Sequence, residues 1–222
     1  MRNFNIQDCI LYEDREILVC HKPAGIAVQN ARLGAADMES SLKNYLALKN
    51  PGKIPYLGII HRLDQPVEGV LVFAKTQKAA SELNRQITAK TVTKEYLAVT
   101  AQMPDEKQGH LEDYLKKDNR TNSSSVVASK TPGAKKAVLD YWVQEEIKDE
   151  QIETGKRILV KIALDTGRHH QIRVQMAHKG MPLLGDRKYN AKDISGLPLA
   201  FLGARTEEAI RSYFVDKVIF SC

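Results

Sequence analysis

Cysteine is scarce: Cys9, Cys20 and Cys222 are the three in 222 residues. An odd number without paired spacing excludes a disulfide framework and gives no zinc pattern, so these read as buried or inert thiols. Long uncharged stretches are missing too. The longest runs from Ile194 to Ala204, far short of the roughly 18 apolar residues that a membrane helix needs. The opening, Met1 to Asp8, meets an acid before any apolar run could form the middle of a signal peptide, so a cytoplasmic location is expected. No repeat of 20 to 50 residues recurs, which removes solenoids and propellers. What remains is globular: 43% hydrophobic, 27% charged, with 33 Lys and Arg against 27 Asp and Glu for a net charge of +6.

The chain opens on a hairpin signal. Ile10 to Tyr12 is a short apolar run, Glu13-Asp14-Arg15 a polar turn, and Glu16 to Cys20 the return strand. Ser40 or Ser41 is read as the cap of a helix with apolar Leu42, Tyr45, Leu46 and Leu48 that ends near Lys49, before Pro51-Gly52. Ile59-Ile60 and Val70 to Ala74 are strand-like and flank the polar segment His61 to Gly69, which becomes a loop between strands. Thr76 caps a second helix whose buried face is Ala80, Leu83 and Ile87, and Lys94 to Thr100 returns as a strand.

Lys116 to Lys136 carries Thr121 to Ser125 and six Lys or Arg, and reads either as a mobile surface loop or as a solvated hairpin tip. Ala137 to Val143 and Arg157 to Leu164 alternate as half-buried strands, and Gly167 to Gly180 turns helical, with Gly180 just past its end. Strands dominate and helices are interspersed irregularly. The expected class is therefore α+β, a mixed but largely antiparallel bent sheet flanked by helices around a central cleft, and residues 1–222 are taken as a single domain.

Two segments concentrate polar groups where elements end. In His61-Arg62-Leu63-Asp64-Gln65 a carboxylate stands two residues from a guanidinium, which alone could be a surface ion pair worth under about 1 kcal/mol. In Gly167-Arg168-His169-His170-Gln171-Ile172-Arg173 two Arg, two His and a Gln gather at a helix start, whose N–H groups and dipole suit phosphate. His169, His170 and His178 are poorly spaced for one metal ion, so no metal site is expected.

His61-Arg62-Leu63-Asp64 followed by Gly69 and an apolar strand resembles the active-site motif of the RluA-type pseudouridine synthases. Three further segments resemble that family in the same order: Glu13-Asp14 with His21-Lys22-Pro23-Ala24-Gly25, then Lys94-Glu95-Tyr96-Leu97-Ala98, then Gly167 to Arg173 followed by Leu184-Gly185-Asp186. The likeness spans about residues 10 to 190 and fades beyond. Two departures stand out: Val67-Glu68 where the family usually has Thr-Ser, and His169 where it usually has Thr. Some relatives carry an S4 domain in front; with the first strand at Ile10, none is expected here.

The resemblance implies the pseudouridine synthase fold and an isomerisation of uridine in ribosomal or transfer RNA, without a cofactor, by a chain that acts as a monomer. It implies Asp64 as the nucleophile, Arg173 as the cation that keeps it ionised, and Tyr96 against the uracil ring. Arg62 becomes a wedge beside the extruded base, with His61, Lys22, Arg168 and His170 lining the RNA cleft, although His61 and His170 suit structural roles equally well. Two alternatives stay open: an RNA-binding member with weakened catalysis, suggested by Val67-Glu68, and a nucleoside or glycoside hydrolase. The positive net charge and the lack of a second carboxylate in the motif argue against the hydrolase.

Overall fold

The computed structural model describes residues 4–30, 36–100, 102–149, 155–190 and 199, and the backbone of 201–203. The chain divides into two compact units, the first running through Val92 and the second beginning at Thr93.

The first unit is built on a four-stranded antiparallel sheet. After a short 3-10 turn at Ile6–Cys9 come β1 (Ile10–Glu13) and β2 (Ile17–Lys22), helix α1 (Met38–Lys49), β3 (Gly58–Ile59), β4 (Gly69–Ala74) and helix α2 (Gln77–Thr88), in the sheet order β1-β2-β4-β3. The two central strands are covered on both faces. Ile17 to Cys20 and Leu71 to Ala74 are therefore continuous apolar runs, at most 1% exposed, rather than alternating ones. Ala79, Ala80 and Leu83 of α2 pack with Ile17, Val19, Val72 and Ala74. Burying a side chain the size of Leu83 stabilises the unit by about 1.5–3 kcal/mol.

Thr76 caps α2 as expected, its hydroxyl accepting from the Ala79 N–H at 3.1 Å. The cap of α1 differs from the expected Ser40 or Ser41. The helix begins at Met38, and Asp37 accepts both the Ser40 N–H (2.7 Å) and the Ser40 hydroxyl (2.6 Å) on Oδ1. A carboxylate is the stronger acceptor and carries charge that suits the positive helix end, so it takes the cap and Ser40 becomes its donor. Leu48, counted among the apolar positions, is 82% exposed.

The second unit carries a six-stranded sheet in the order β10-β5-β9-β8-β6-β7, from β5 (Lys94–Thr100), β6 (Gln108–Asp118), β7 (Ser123–Val126), β8 (Lys135–Lys148), β9 (Lys156–Leu164) and β10 (Phe201–Gly203), with helix α3 at Gln171–His178. The registered pairs β5/β9, β8/β9, β6/β8 and β6/β7 are all antiparallel. Alternation is realised in β9, where Ile158, Val160 and Ile162 are fully buried while Arg157 and Lys161 are partly exposed. The polar stretch from Lys116 to Lys136 contains a hairpin tip, where Asp118 to Ser123 turns between β6 and β7 and Leu115 to Asp118 pair with Val126 to Ser123, and then a connection over 127–134 that leads to β8.

Helix α3 is more buried than its two apolar anchors suggest, because Gln171 to Met176 are all in the interior. It ends as expected at Gly180, whose φ of +85° needs a residue without a Cβ. The expected α+β class and its antiparallel character are what the chain shows. Among the described residues no helix is long and apolar enough to cross a membrane. The sequence beyond residue 203, where the family likeness had faded, lies outside the described residues.

Candidate active site

The Asp64 segment is the connection between β3 and β4, and it is fastened from below. Lys22, at the end of β2 opposite Gly69, is fully buried, and its Nζ donates to the carbonyls of Pro23 (3.0 Å), Ile26 (2.7 Å) and Gln65 (3.1 Å). An ammonium has three donors, so each proton has its own acceptor. Gly25, at φ +87°, shapes a turn whose N–H donates to the Gln65 carbonyl at 2.8 Å, while the Gln65 amide donates back to the Gly25 carbonyl at 2.9 Å. Within the loop the Val67 N–H closes a turn on the Asp64 carbonyl at 3.0 Å, and Leu63 and Val67 are sunk into the core.

Asp64 and Glu68 both lie close enough to act on Lys22. Burial lowers the Lys22 pKa from 10.5 to about 8, and the two carboxylates partly oppose that fall. Lys22 is therefore still largely an ammonium at neutral pH. The sequence reading put it in the RNA cleft; its complete burial makes it the post that holds the loop and a positive charge beneath Asp64, out of reach of a phosphate. His61 also turns inward, its Nε2 accepting from the Val72 N–H at 3.3 Å. Arg62, by contrast, is exposed.

In the second unit, Tyr96 is half-buried on β5, opposite Ile162 of β9, and packs against the core that includes Ile172 and Met176. Arg173 is 7% exposed and grips Asp186, itself 1% exposed, through two parallel hydrogen bonds: Nε to Oδ2 at 2.8 Å and Nη2 to Oδ1 at 2.7 Å. Its guanidinium also lies 5.0 Å from the centroid of the Tyr189 ring. Asp186 Oδ1 accepts from the Lys188 N–H (3.1 Å) and the Tyr189 N–H (3.3 Å), so one carboxylate shapes a turn and holds the arginine.

His170 stands just before α3 in the left-handed region, at φ 53° and ψ 26°, and is 9% exposed. The Tyr189 hydroxyl accepts from the Ser124 N–H (2.9 Å) and shares a hydrogen bond of 2.6 Å with His170 Nδ1, the ring's tautomer deciding which of the two donates. Burial first, then the charges of Arg173, His169 and Lys188, bring the His170 pKa down to about 3, so it is neutral. His169 stacks on His170 at 3.8 Å and bonds Ser124 Oγ at 2.9 Å. Arg168 is exposed, with its Nε donating to the Lys136 carbonyl at 2.8 Å. Of the residues expected to line an RNA cleft, Arg62 and Arg168 are thus at the surface, while Lys22, His61 and His170 have interior partners.

The sequence reading quoted Asp186 within a motif but gave it no part, and it did not single out Tyr189. Neither role could be read from spacing, because both depend on a turn meeting a helix. The sequence carries no signal of an anion beside Arg173, because half of the residues of α3 are polar and its burial shows only in the fold. Among the described residues no group of three or more His, Cys, Asp or Glu is placed to hold a metal ion.

The scaffold is thus antiparallel α+β, with Asp64 on a loop between two strands of the first unit and Arg173 on a buried helix of the second. Residues 16–178 match the RNA pseudouridylate synthase family, and the chain belongs to it. It is 34% identical over 185 residues to the uncharacterized RNA pseudouridine synthase YlyB of Bacillus subtilis, covering 82% of this chain and 58% of that protein. It is also 34% identical over 196 residues to the ribosomal large subunit pseudouridine synthase D of Xylella fastidiosa, covering 81% and 51%. The chain spans about half the length of the curated relatives it matches. Among solved structures, the human RNA pseudouridylate synthase domain containing 4 shares the fold, with a TM-score of 0.71 at 22% identity over 89% of this chain and 82% of that one.

Proposed function

We propose that this protein isomerises uridine to pseudouridine in structured RNA, ribosomal or transfer, with Asp64 as the reacting carboxylate. The reaction breaks the C1′–N1 glycosidic bond and forms a C1′–C5 bond, while N1 gains a proton and C5 gives one up. Composition and oxidation state are unchanged. The observation that carries the reading is the Lys22 anchor. A family-matched aspartate sits on a loop held at Gln65 by the buried Lys22 ammonium and by the Gly25 turn, with Asp64 close enough to act on that ammonium. A carboxylate held in place is what covalent or proton-abstracting chemistry at the nucleotide requires.

Tyr96 and Arg173 enter by the family resemblance alone, as the ring for the uracil and the cation for the anion. Exposed Arg62 and Arg168, with a net charge of +6, give the polyanion its contacts. The target uridine must leave its stack, a cost of a few kcal/mol that those contacts offset.

The test is to incubate the protein with unmodified transcripts of ribosomal and transfer RNA, and with free uridine, then map pseudouridine. Product is expected in RNA only, and Asp64→Asn should reduce its rate by at least about a thousandfold, the scale of losing a catalytic nucleophile. Asp64→Asn turning over within about tenfold of the parent would remove Asp64 from the chemistry.

A further inference from the structure

Beside the Asp64 loop, the first unit carries a cleft of about 390 Å³ whose walls include Gln29, Glu39, Leu57, Ile60, His61 and Arg62. That volume suits one small planar group, near the lower end of the roughly 300–1,000 Å³ of small-ligand sites. The walls are held from behind. The Met38 and Glu39 N–H groups donate to the carbonyls of Ala27 and Val28, each at 3.0 Å, and the Asn30 N–H donates to Asp37 Oδ2 at 2.7 Å. On the other side Ile59 is paired with Phe73, and His61 is fixed by Val72. The space is preformed.

Its polar groups are of opposite kinds. The Glu39 carboxylate takes Lys43 Nζ on Oε1 (2.7 Å) and Gln29 Nε2 on Oε2 (2.8 Å), and the Lys43 bond leads the effects that keep it ionised. A carboxylate has about four acceptor positions, so two remain for incoming N–H groups. This anion disfavours a phosphate and favours a donor edge. Arg62, in the same wall, offers only donors. Leu57 and Ile60 supply apolar surface against which a flat ring can lie. Among RNA bases, guanine presents two adjacent donors, N1–H and N2–H, on one edge and two acceptors, N7 and O6, on another. Arg62 also precedes Asp64 by two residues, at most about 7 Å of chain. A base in the cleft therefore belongs to a nucleotide close to the reacting one.

We infer that this cleft seats a guanine of the substrate RNA, one or two nucleotides from the modified uridine, with Glu39 taking its donor edge and Arg62 its acceptor edge. The cleft then helps to choose which uridine is modified. This rests on the proposed activity. It assigns the base-reading part to Glu39, a residue outside the motifs that carry the family resemblance.

The experiment uses the full chain and a pool of stem-loop transcripts in which the nucleotides on either side of one fixed uridine are randomised. Modified molecules are separated by pseudouridine-specific carbodiimide labelling and sequenced. Guanine is expected to be enriched about tenfold or more at a single nearby position, the scale of one good bidentate contact. In Glu39→Gln, which keeps size but loses one acceptor and the charge, that enrichment should fall to within about twofold while preferences at the other positions persist. Equal guanine enrichment in both proteins, or none in the parent, overturns the proposal. If neither protein modifies any molecule, the proposed activity has failed. The same pool sorted by retention on each protein then decides the cleft by the same guanine criterion.

Discussion

Arg173 and Asp186 form a two-pronged ion pair in the interior of the second unit, with side chains 8% and 0% exposed and an Nη2–Oδ1 distance of 2.7 Å. Two charges leave water only when each satisfies the other, and here the fork and two backbone N–H groups use the carboxylate on several sides. The pair fixes where the arginine of the third motif sits before any RNA arrives.

Removing one partner should therefore cost more than removing both. Asp186→Asn leaves a buried guanidinium without its anion and should lower unfolding stability by about 3–5 kcal/mol. The double variant Asp186→Asn, Arg173→Met should regain part of that loss while remaining inactive, because the stranded charge is gone. Denaturant unfolding of the parent, both single variants and the double variant checks this. Additive losses would mean that the pair does not act as a unit.

His170 predicts a loss of stability in acid. Its folded pKa, about 3, lies below its unfolded value near 6.5, so between these the unfolded chain binds the proton that the folded chain refuses. Stability falls as pH drops through 6.5, by about 2 kcal/mol at pH 5 from this group. His170→Asn suits the left-handed backbone and does not titrate there, so its stability should fall less between pH 7 and pH 5. Chemical unfolding at the two pH values measures the difference. The same drop in both proteins would show that other groups carry it.

Much of this fold was legible because it is local. The hairpin of β1 and β2, the Thr76 cap and the span of β5 follow from turn residues, one hydroxyl and β-branched density, each readable within a few positions. The hairpin tip was harder. Ser123 to Ser125 has little intrinsic preference for a strand, and β7 is held by distant groups: Tyr189 bonds Ser124, and Lys188 donates to the carbonyls of Thr121 and Asn122. At the site, the Asp64 loop was found from its motif, yet the burial of Lys22 was not. Lysine is ordinarily a surface residue, and only the three converging carbonyls make an interior ammonium tolerable.

That ammonium makes activity and stability part company in alkaline solution. With a folded pKa of about 8, Lys22 loses its proton above that pH while the chain stays folded. A neutral amine has two donors for three carbonyls and no charge beneath Asp64, so kcat/KM for an RNA substrate should fall above pH 8 with an apparent pKa near that value. Stability moves the other way. The folded pKa lies below the unfolded value near 10.5, so the unfolded chain holds the proton longer, and between pH 8 and 10.5 this group makes folding more favourable as pH rises. Below pH 8 both states are protonated and its burial cost is present in full. Lys22→Met removes the charge and takes a donor from three carbonyls, of which Gln65 alone keeps another, the Gly25 N–H. It should lower kcat/KM by about a hundredfold or more at pH 7 and flatten the decline above pH 8, since the charge that titrates there is gone. Initial rates from pH 6.5 to 9.5, with unfolding measured at pH 7.5 and 9.5, test both halves. A parent whose kcat/KM is level through pH 9.5 would detach the Lys22 charge from the chemistry at Asp64.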